Sequence, residues 1–325
     1  MANKLKPYAQ LTIDGMTVSV SPLRAIRVSR RLSGRTDELR FAMALNAGLD
    51  IGNDASVSLD MGWGDRGATV FTGAIQSLEY TLNEVQGVAH GSQKALVQTR
   101  IDETFIDQTA GDVVKALADR AGIDTGTIDA GIQLSKYLAD GSVSLFEHLH
   151  TLARICGVDV FTDEKGKINF TKREAFTADY TYQYGINLMD ARITQTRPAI
   201  SSIQIIPESP TSQEGTDAGT WFVKSSRDLA ATAGEGNARR FSSALCTTKE
   251  AAETAAKSYQ RDIERRGIKG KIMVMGQPDA NPGQVVELKD MPDGHTNGYY
   301  EISGVDHALD GIRGFRSTIH LWGQA

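Results

Sequence analysis

The sequence predicts a mainly β fold with an α+β insert, in which two β blocks flank a small α/β unit. Three observations carry this. Residues 70–80 (VFTGAIQSLEY) and residues 298–322 near the far end (GYYEISGVDHALDGIRGFRSTIHLW) both have strand patterns. Between them the chain shows helical spacing and almost no strand alternation until its last third. At 325 residues it exceeds a typical single domain. The expected division is 1–105, 106–190 and 191–325.

The first block opens with residues 9–13 and 16–20 around Asp14-Gly15, a pair suited to a type I′ turn because both positions must accept positive φ. Leu39, Phe41, Met43 and Leu45 alternate with smaller or charged residues, which places four large apolar side chains on one strand face. Val57, Leu59 and Met61 repeat the pattern, and residues 70–80 and 87–90 follow. Six or so short strands with polar turns describe a sandwich or a barrel.

The middle block opens with a helix capped by Thr109, with Asp112 three residues on; Val113, Leu117 and Ala121 share a face and Gly122 ends it. A second helix starts at the capping box Ser144-x-x-Glu147, buries Leu145, Leu149, Leu152 and Cys156, and stops at Gly157. A hairpin then pairs 158–162 with 167–172 across 163–166, where Gly166 can take the left-handed conformation.

The last block begins near Ala191 with a strand at 201–206. Residues 207–219 (PESPTSQEGTDAG) have no apolar pattern and predict a mobile loop. A helix over about 247–266, capped by Thr247 and Glu250, carries Ala251, Ala255, Tyr259 and Ile263 on a modestly apolar face, which predicts packing on the outside of a barrel. Strands at 271–275 and 284–288 precede the terminal meander, in which Tyr300, Ile302 and Val305 line one side and a polar stretch, 306–313, separates them from Phe315, Thr318 and Ile319.

Composition narrows the function. With 40% hydrophobic and 23% charged residues the chain is that of a folded protein. It has no apolar run of membrane-spanning length and no secretion signal, which predicts folding in a cytoplasm without membrane insertion. Cys156 and Cys246 predict no disulfide, and Cys156, on an apolar helix face, reads as a buried free thiol. The net charge of −5 argues against a clamp on phosphates. The exception is local: Arg24, Arg27, Arg30, Arg31, Arg35 and Arg40 crowd one strand pair, and without interleaved aromatics they read as a solvated strand face or as edge protection before they read as a nucleic-acid patch. An acidic partner surface is a third reading.

No catalytic, cofactor-binding or metal-binding residue is expected. His148 and His150, two apart on a helix, point in opposite directions, and His90, His295, His307 and His320 have no ligand spacing. Gly234-Glu235-Gly236 lacks the rest of a dinucleotide fingerprint, and no nucleophile elbow occurs. The carboxylate pairs Asp37-Glu38 and Asp163-Glu164 read as solvated turns. A peptidoglycan-degrading enzyme would need an acid and a base or nucleophile in one cleft. A carbohydrate-binding β module would need aromatics on one face, whereas Trp63, Trp221 and Trp322 fall in three segments.

Several short motifs occur in an order that resembles the late control D family, the baseplate hub proteins of contractile-tailed bacteriophages, also similar to the N-terminal half of the type VI secretion spike protein. They are VFTGAIQSLEY, GVAHGSQKAL (with His90 where the family more often has aspartate), TFIDQT before a helix, SLFEHLHTLARICGVDVFTDEKGKINF, and the ending GYYEISGVDHALDGIRGFRSTIHL. The resemblance implies two tail-tube-like β-barrels flanking the α/β insert. It further implies a homotrimer whose six barrels match a six-fold tail tube while offering three-fold symmetry to a separate spike protein. The implied partners are the tail tube, spike, tape measure and baseplate wedge proteins, with DNA only as passing cargo. Assembly is expected in the host bacterial cytoplasm, with the final location in the baseplate of a tail. Three copies at −5 carry −15 together, which suits a lumen that does not retain DNA.

Overall fold

The computed structural model describes residues 6–18, 23–45, 51–172, 177–207 and 230–323. The first unit consists of β1 (Pro7–Ile13), β2 (Met16–Val18), β3 (Leu23–Arg31), β4 (Glu38–Ala44), β5 (Ser56–Trp63), β6 (Arg66–Tyr80) and β7 (Glu84–Gly91). Asp14 and Gly15, with φ of 47° and 76°, make the two-residue turn that joins β1 to β2, as their sequence requires. The alternating residues expected at the core arrive there: Leu39, Phe41, Met43, Val57, Leu59 and Met61 pack with Leu11, Phe71 and Ile75 in one buried cluster. Leu45 does not. The strand ends at Ala44, and Leu45 lies outside the core, half-exposed, with its amide donating to the Asn83 carbonyl.

The insert follows with α1 (Gln93–Gln98), β8 (Glu103–Thr109), α2 (Ala110–Arg120), β9 (Thr125–Ile128), β10 (Gln133–Ala139), α3 (Leu145–Cys156), β11 (Asp159–Thr162) and β12 (Ile168–Thr171). Thr109 caps α2 by accepting from the Asp112 amide at 3.2 Å, and Ser144 and Glu147 form the capping box of α3, which ends at Gly157 with φ 72°. The strand content here exceeds the sequence expectation. In the two-stranded ribbon β8–β10, Phe105, Leu134 and Tyr137 turn inward while Ile106 and Leu138 are exposed, so apolar residues on both faces erase the alternation that marks a strand.

The remaining elements are β13 (Tyr180–Gln183), β14 (Asp190–Gln195), β15 (Ser202–Pro207), β16 (Ala231–Gly234), β17 (Ala238–Ser243), α4 (Lys249–Gly267), β18 (Ile268–Met275), β19 (Val285–Lys289), β20 (Gly298–Asp310) and β21 (Gly314–Gly323). Strands β13, β14 and β18–β21 surround a second β core that holds Tyr182, Ile272, Val286, Ile302, Ile319 and Leu321. A register shift between Ile302 and Gly304 explains how Tyr300, Ile302 and Val305 are all buried although their spacing breaks period two. The expected polar break at 306–313 shrinks to a turn at 311–313. β20 runs on through Asp306 and His307 because cross-strand partners neutralise or bury them.

Strands β15–β17 form their own three-stranded sheet, and with α4 they join the core of the insert. The helix expected on the outside of the second β block therefore sits elsewhere: Ala251, Ala252, Ala255 and Ala256 are buried among the insert's apolar residues. Its cap is Thr248, one residue later than expected, which accepts from the Ala251 amide at 3.1 Å. Pro207 is the buried last residue of β15, and the rest of the expected loop at 207–219 lies outside the described residues, as does Trp221.

The two β units are not tethered beads. Hydrogen bonding passes from β20 to β3 in one continuous sheet, ordered β14-β18-β21-β20-β3-β4-β7-β6-β5-β1-β2, with β19 and β13 branching from β20. Mainly β with an α/β insert is thus the observed architecture. No helix among the described residues is long and apolar enough to cross a membrane.

Candidate assembly site at the unit junctions

The arginines of β3, β4 and the turn between them separate into two kinds. Arg24, Arg27, Arg35 and Arg40 are exposed, and Arg24 and Arg40 pair with Glu84 and Glu38 at 3.2 and 2.6 Å. Arg30 is buried, against the reading of a uniformly solvated face. Its Nε donates to Asp37 Oδ2 at 3.3 Å, its Nη2 to the Thr162 carbonyl at 2.8 Å, and its Nη1 to Asn281 Oδ1. One guanidinium thereby ties the first β unit to the insert and to the second β unit. Asp37, expected as a solvated turn residue, is buried and also accepts from Thr162 Oγ1 at 2.9 Å. Arg31 crosses to β20, where it pairs with Asp306 at 2.8 Å. Burial alone would raise the Asp306 pKa, but hydrogen bonds from His320 and Ser29 and the charge of Arg31 hold it well below the carboxylate range.

A second buried cluster binds α4 to its surroundings. Arg265 grips Asp159 of β11 with two bonds of 2.9 and 3.0 Å, reaches Glu301 of β20 at 3.4 Å, and lies 4.6 Å above the Trp322 ring. Arg261 adds a contact to Asp159 at 3.5 Å. Glu301 is almost fully buried, and that burial, reinforced by Asp159, pushes its pKa up against the opposing pull of Arg265. Between the two clusters lies a cavity of about 300 Å³ lined by Arg30, Thr162, Asn281, Gln284 and Glu301. Units held by buried, directional ion pairs dock in one orientation, because any other leaves charges unpaired.

The histidines are placed structurally. His148 bonds Tyr137 Oη through Nδ1 at 2.8 Å and the Asp140 carbonyl through Nε2 at 3.1 Å. His150 packs on Phe146, and burial lowers its pKa to about 4. His307 is wholly buried beside Ser317 Oγ at 2.9 Å, and burial, with Arg30 adding to it, lowers its pKa to about 3. His320 bridges to Asp306 at 2.8 Å, His90 approaches Glu38 at 3.8 Å, and His295 is exposed. Among the described residues no group of histidine, cysteine and carboxylate side chains is arranged to hold a metal. Both cysteines are free and buried, and burial raises both thiol pKa values. Trp63 stacks on Phe315 and donates to the Gly276 carbonyl at 2.8 Å.

The junction is not legible from local sequence: Arg30 stands there as one of six arginines, and no motif marks Asp159, Arg265 or Asn281. A usable signal was Glu301 itself, a carboxylate between Tyr300 and Ile302 in a strand buried on both faces.

Two β units sharing a sheet, with an α/β insert locked between them, define a fold found among tail proteins of phages and prophages. The 43 kDa tail protein of prophage MuSo2 from Shewanella oneidensis superposes with a TM-score of 0.75 at 18% identity, covering 97% of this chain and 98% of that one. A tail protein from Neisseria meningitidis MC58 gives 0.76 at 14% identity over 98% and 97%. The c3393 protein of E. coli, described as a component of the type VI secretion system with structural similarity to bacteriophage T4 tail proteins, gives 0.60 at 10% identity over 97% and 77%. By sequence, residues 32–311 match the family described as the Alg8 N-terminal domain, and the chain belongs to that family. No curated protein matches it.

Proposed function

We propose that the protein is a structural hub in the baseplate of a contractile phage tail or related injection device. Three copies form a ring whose six β units meet a six-fold tail tube and whose three-fold symmetry meets a separate spike protein. The observation that carries this is the pairing of two β units in one sheet, within a chain whose fold follows tail proteins over nearly their whole length. Tape measure and wedge proteins are further partners, DNA passes through without being held, and assembly takes place in the bacterial cytoplasm. We read the chain as two tube-like units, built from β1–β7 and from β13, β14 and β18–β21, around an insert of α1 to β12 joined by β15–β17 and α4. This amends the division at 105 and 190 because the residues of β15–β17 and α4 share the insert's core.

The role is structural. The alternative of a peptidoglycan-degrading hub is tested by incubating purified protein with cell walls, where sustained lysis would favour it. Carbohydrate binding is disfavoured by Trp63 and Trp322, both engaged by neighbouring side chains. Mass measurement of the purified protein and the symmetry of the assembled particle test the ring. A trimer in the particle is expected, and a monomeric or six-fold arrangement there would sink the reading.

A further inference from the structure

The shared sheet has an outer face, opposite the side that packs on the β cores, and at its centre that face is a trough of about 700 Å³ spanning β21, β20, β3, β4, β7 and β6. Its floor is low because Ala25, Ala42 and Ala308 stand where strands usually carry long side chains. One cross-strand row runs Arg316, Ala308, Arg27, Arg40. The lining holds four arginines, Arg27, Arg40, Arg313 and Arg316, against two carboxylates, Glu79 and Asp310. On a chain of net charge −5, this is a concentrated positive site.

Two features set it apart from an ordinary solvated face. Arg27 sits directly opposite Arg40; Arg40 is held by Glu38 at 2.6 Å, whereas Arg27 has no ion-pair partner among the described residues, so its charge is left open to a ligand. Arg316 reaches Asp310 at 2.8 Å, yet its Nε is buried without a hydrogen bond. The second feature is apolar. The β6–β7 and β20–β21 hairpins end on the same side of the sheet, with Leu82 and Ile312 exposed at 94% and 95%, and Met275 stands exposed opposite Arg316. Arginine and methionine beside bare apolar tips is the composition of a protein interface.

We propose that this trough docks a protein segment in which carboxylates alternate with apolar side chains, the carboxylates meeting Arg27, Arg40 and Arg316 and the apolar groups meeting Leu82, Ile312 and Met275. A phosphate backbone suits it less. Glu79 and Asp310 lie in the lining, and the aromatic there, Phe41, is buried in the core and offers a base no stacking surface. The site is carried by the isolated chain and does not depend on ring formation, so the symmetry experiment and this one fail independently.

The test is fluorescence anisotropy of the purified chain with a labelled soluble peptide of glutamates interspersed with leucines, at low and moderate salt. Its lysine counterpart and oligodeoxythymidylate are run beside it. The glutamate peptide should bind, more weakly as salt rises. Arg27→Glu and the double change Leu82→Asp/Ile312→Asp should each weaken it by about tenfold or more, without loss of thermal stability because all three side chains are exposed. Absent binding, equal binding of the lysine peptide, or full affinity in Arg27→Glu would overturn the proposal. Tighter binding of the oligonucleotide would overturn it in favour of a phosphate-reading surface.

Discussion

Replacing Arg265 by methionine would test whether the insert and the second β unit are locked together by charge. The methionine keeps the aliphatic stem but removes both bonds to Asp159, the 3.4 Å bond to Glu301, the 3.1 Å bond to Asp262 and the guanidinium above Trp322. Asp159 keeps Arg261 at 3.5 Å, whereas Glu301 loses its hydrogen-bonded cation and keeps only the weaker pull of Arg261 against its burial. Breaking a buried pair by deleting one partner costs about 3–5 kcal/mol, against a total stability of about 5–15 kcal/mol. A loss of about 3–5 kcal/mol near pH 7 is therefore expected in urea unfolding followed by tryptophan emission, with Trp322 as a reporter at the site. The pH dependence has a definite sign. In the variant, Glu301 has a folded pKa above its unfolded one, so the native state takes up the proton first and the deficit should shrink as pH falls from 7 towards 5. Adding Glu301→Leu should recover part of the loss at pH 7 by removing the stranded carboxylate. A loss under about 1 kcal/mol, or one independent of pH, would mean that water solvates the cluster and that something else fixes the docking.

Leu152→Ala, at a fully buried position in α3, should cost about 2–5 kcal/mol in the same assay; a change within noise would place the helix face elsewhere. His307 and His150 have folded pKa values below the ordinary 6.5, so the unfolded chain binds protons first and stability falls as pH drops below about 6.5. A His307→Asn variant should show a shallower decline between pH 6.5 and 5, by up to about 1.4 kcal/mol per pH unit; an unchanged slope refutes the assignment. Gly276→Ala should lose about 1–3 kcal/mol, because an added Cβ would lie 2.1 Å from the Phe315 ring, which already stacks on Trp63; an unchanged unfolding midpoint would show that the ring can move aside.

Local rules recovered what local chemistry determines. The Asp14-Gly15 turn, the Ser144–Glu147 box and the alternation of Leu39, Phe41 and Met43 each depend on neighbours within a few residues. Ordered motifs recovered the overall architecture. The failures share a cause: they concern residues whose state is set across the chain. Asp306 and His307 look like turn residues until Arg31, His320 and Ser317 are placed beside them. Asp37 looks solvated until Arg30 and Thr162 close over it. The face of α4 was legible, but which core it enters was not, since four small alanines fit against many surfaces.

The β20–β3 ladder gives the molecule a preferred direction of mechanical strength. Seven consecutive residue pairs, from Gly304 opposite Arg31 to Asp310 opposite Ala25, join the two β units by a backbone ladder that the 2.6 Å Ser29–Asp306 side-chain bond reinforces. A load applied along those strands shears all of these pairs at once, so no single bond can yield first. A load applied across them peels the pairs one at a time, and there the resistance falls to Arg31–Asp306, Arg30 and the Trp63–Phe315 stack that bridge the units from the side. The chain is thus built as a beam that is stiff along its strands and gives way by opening sideways at the β20–β3 seam.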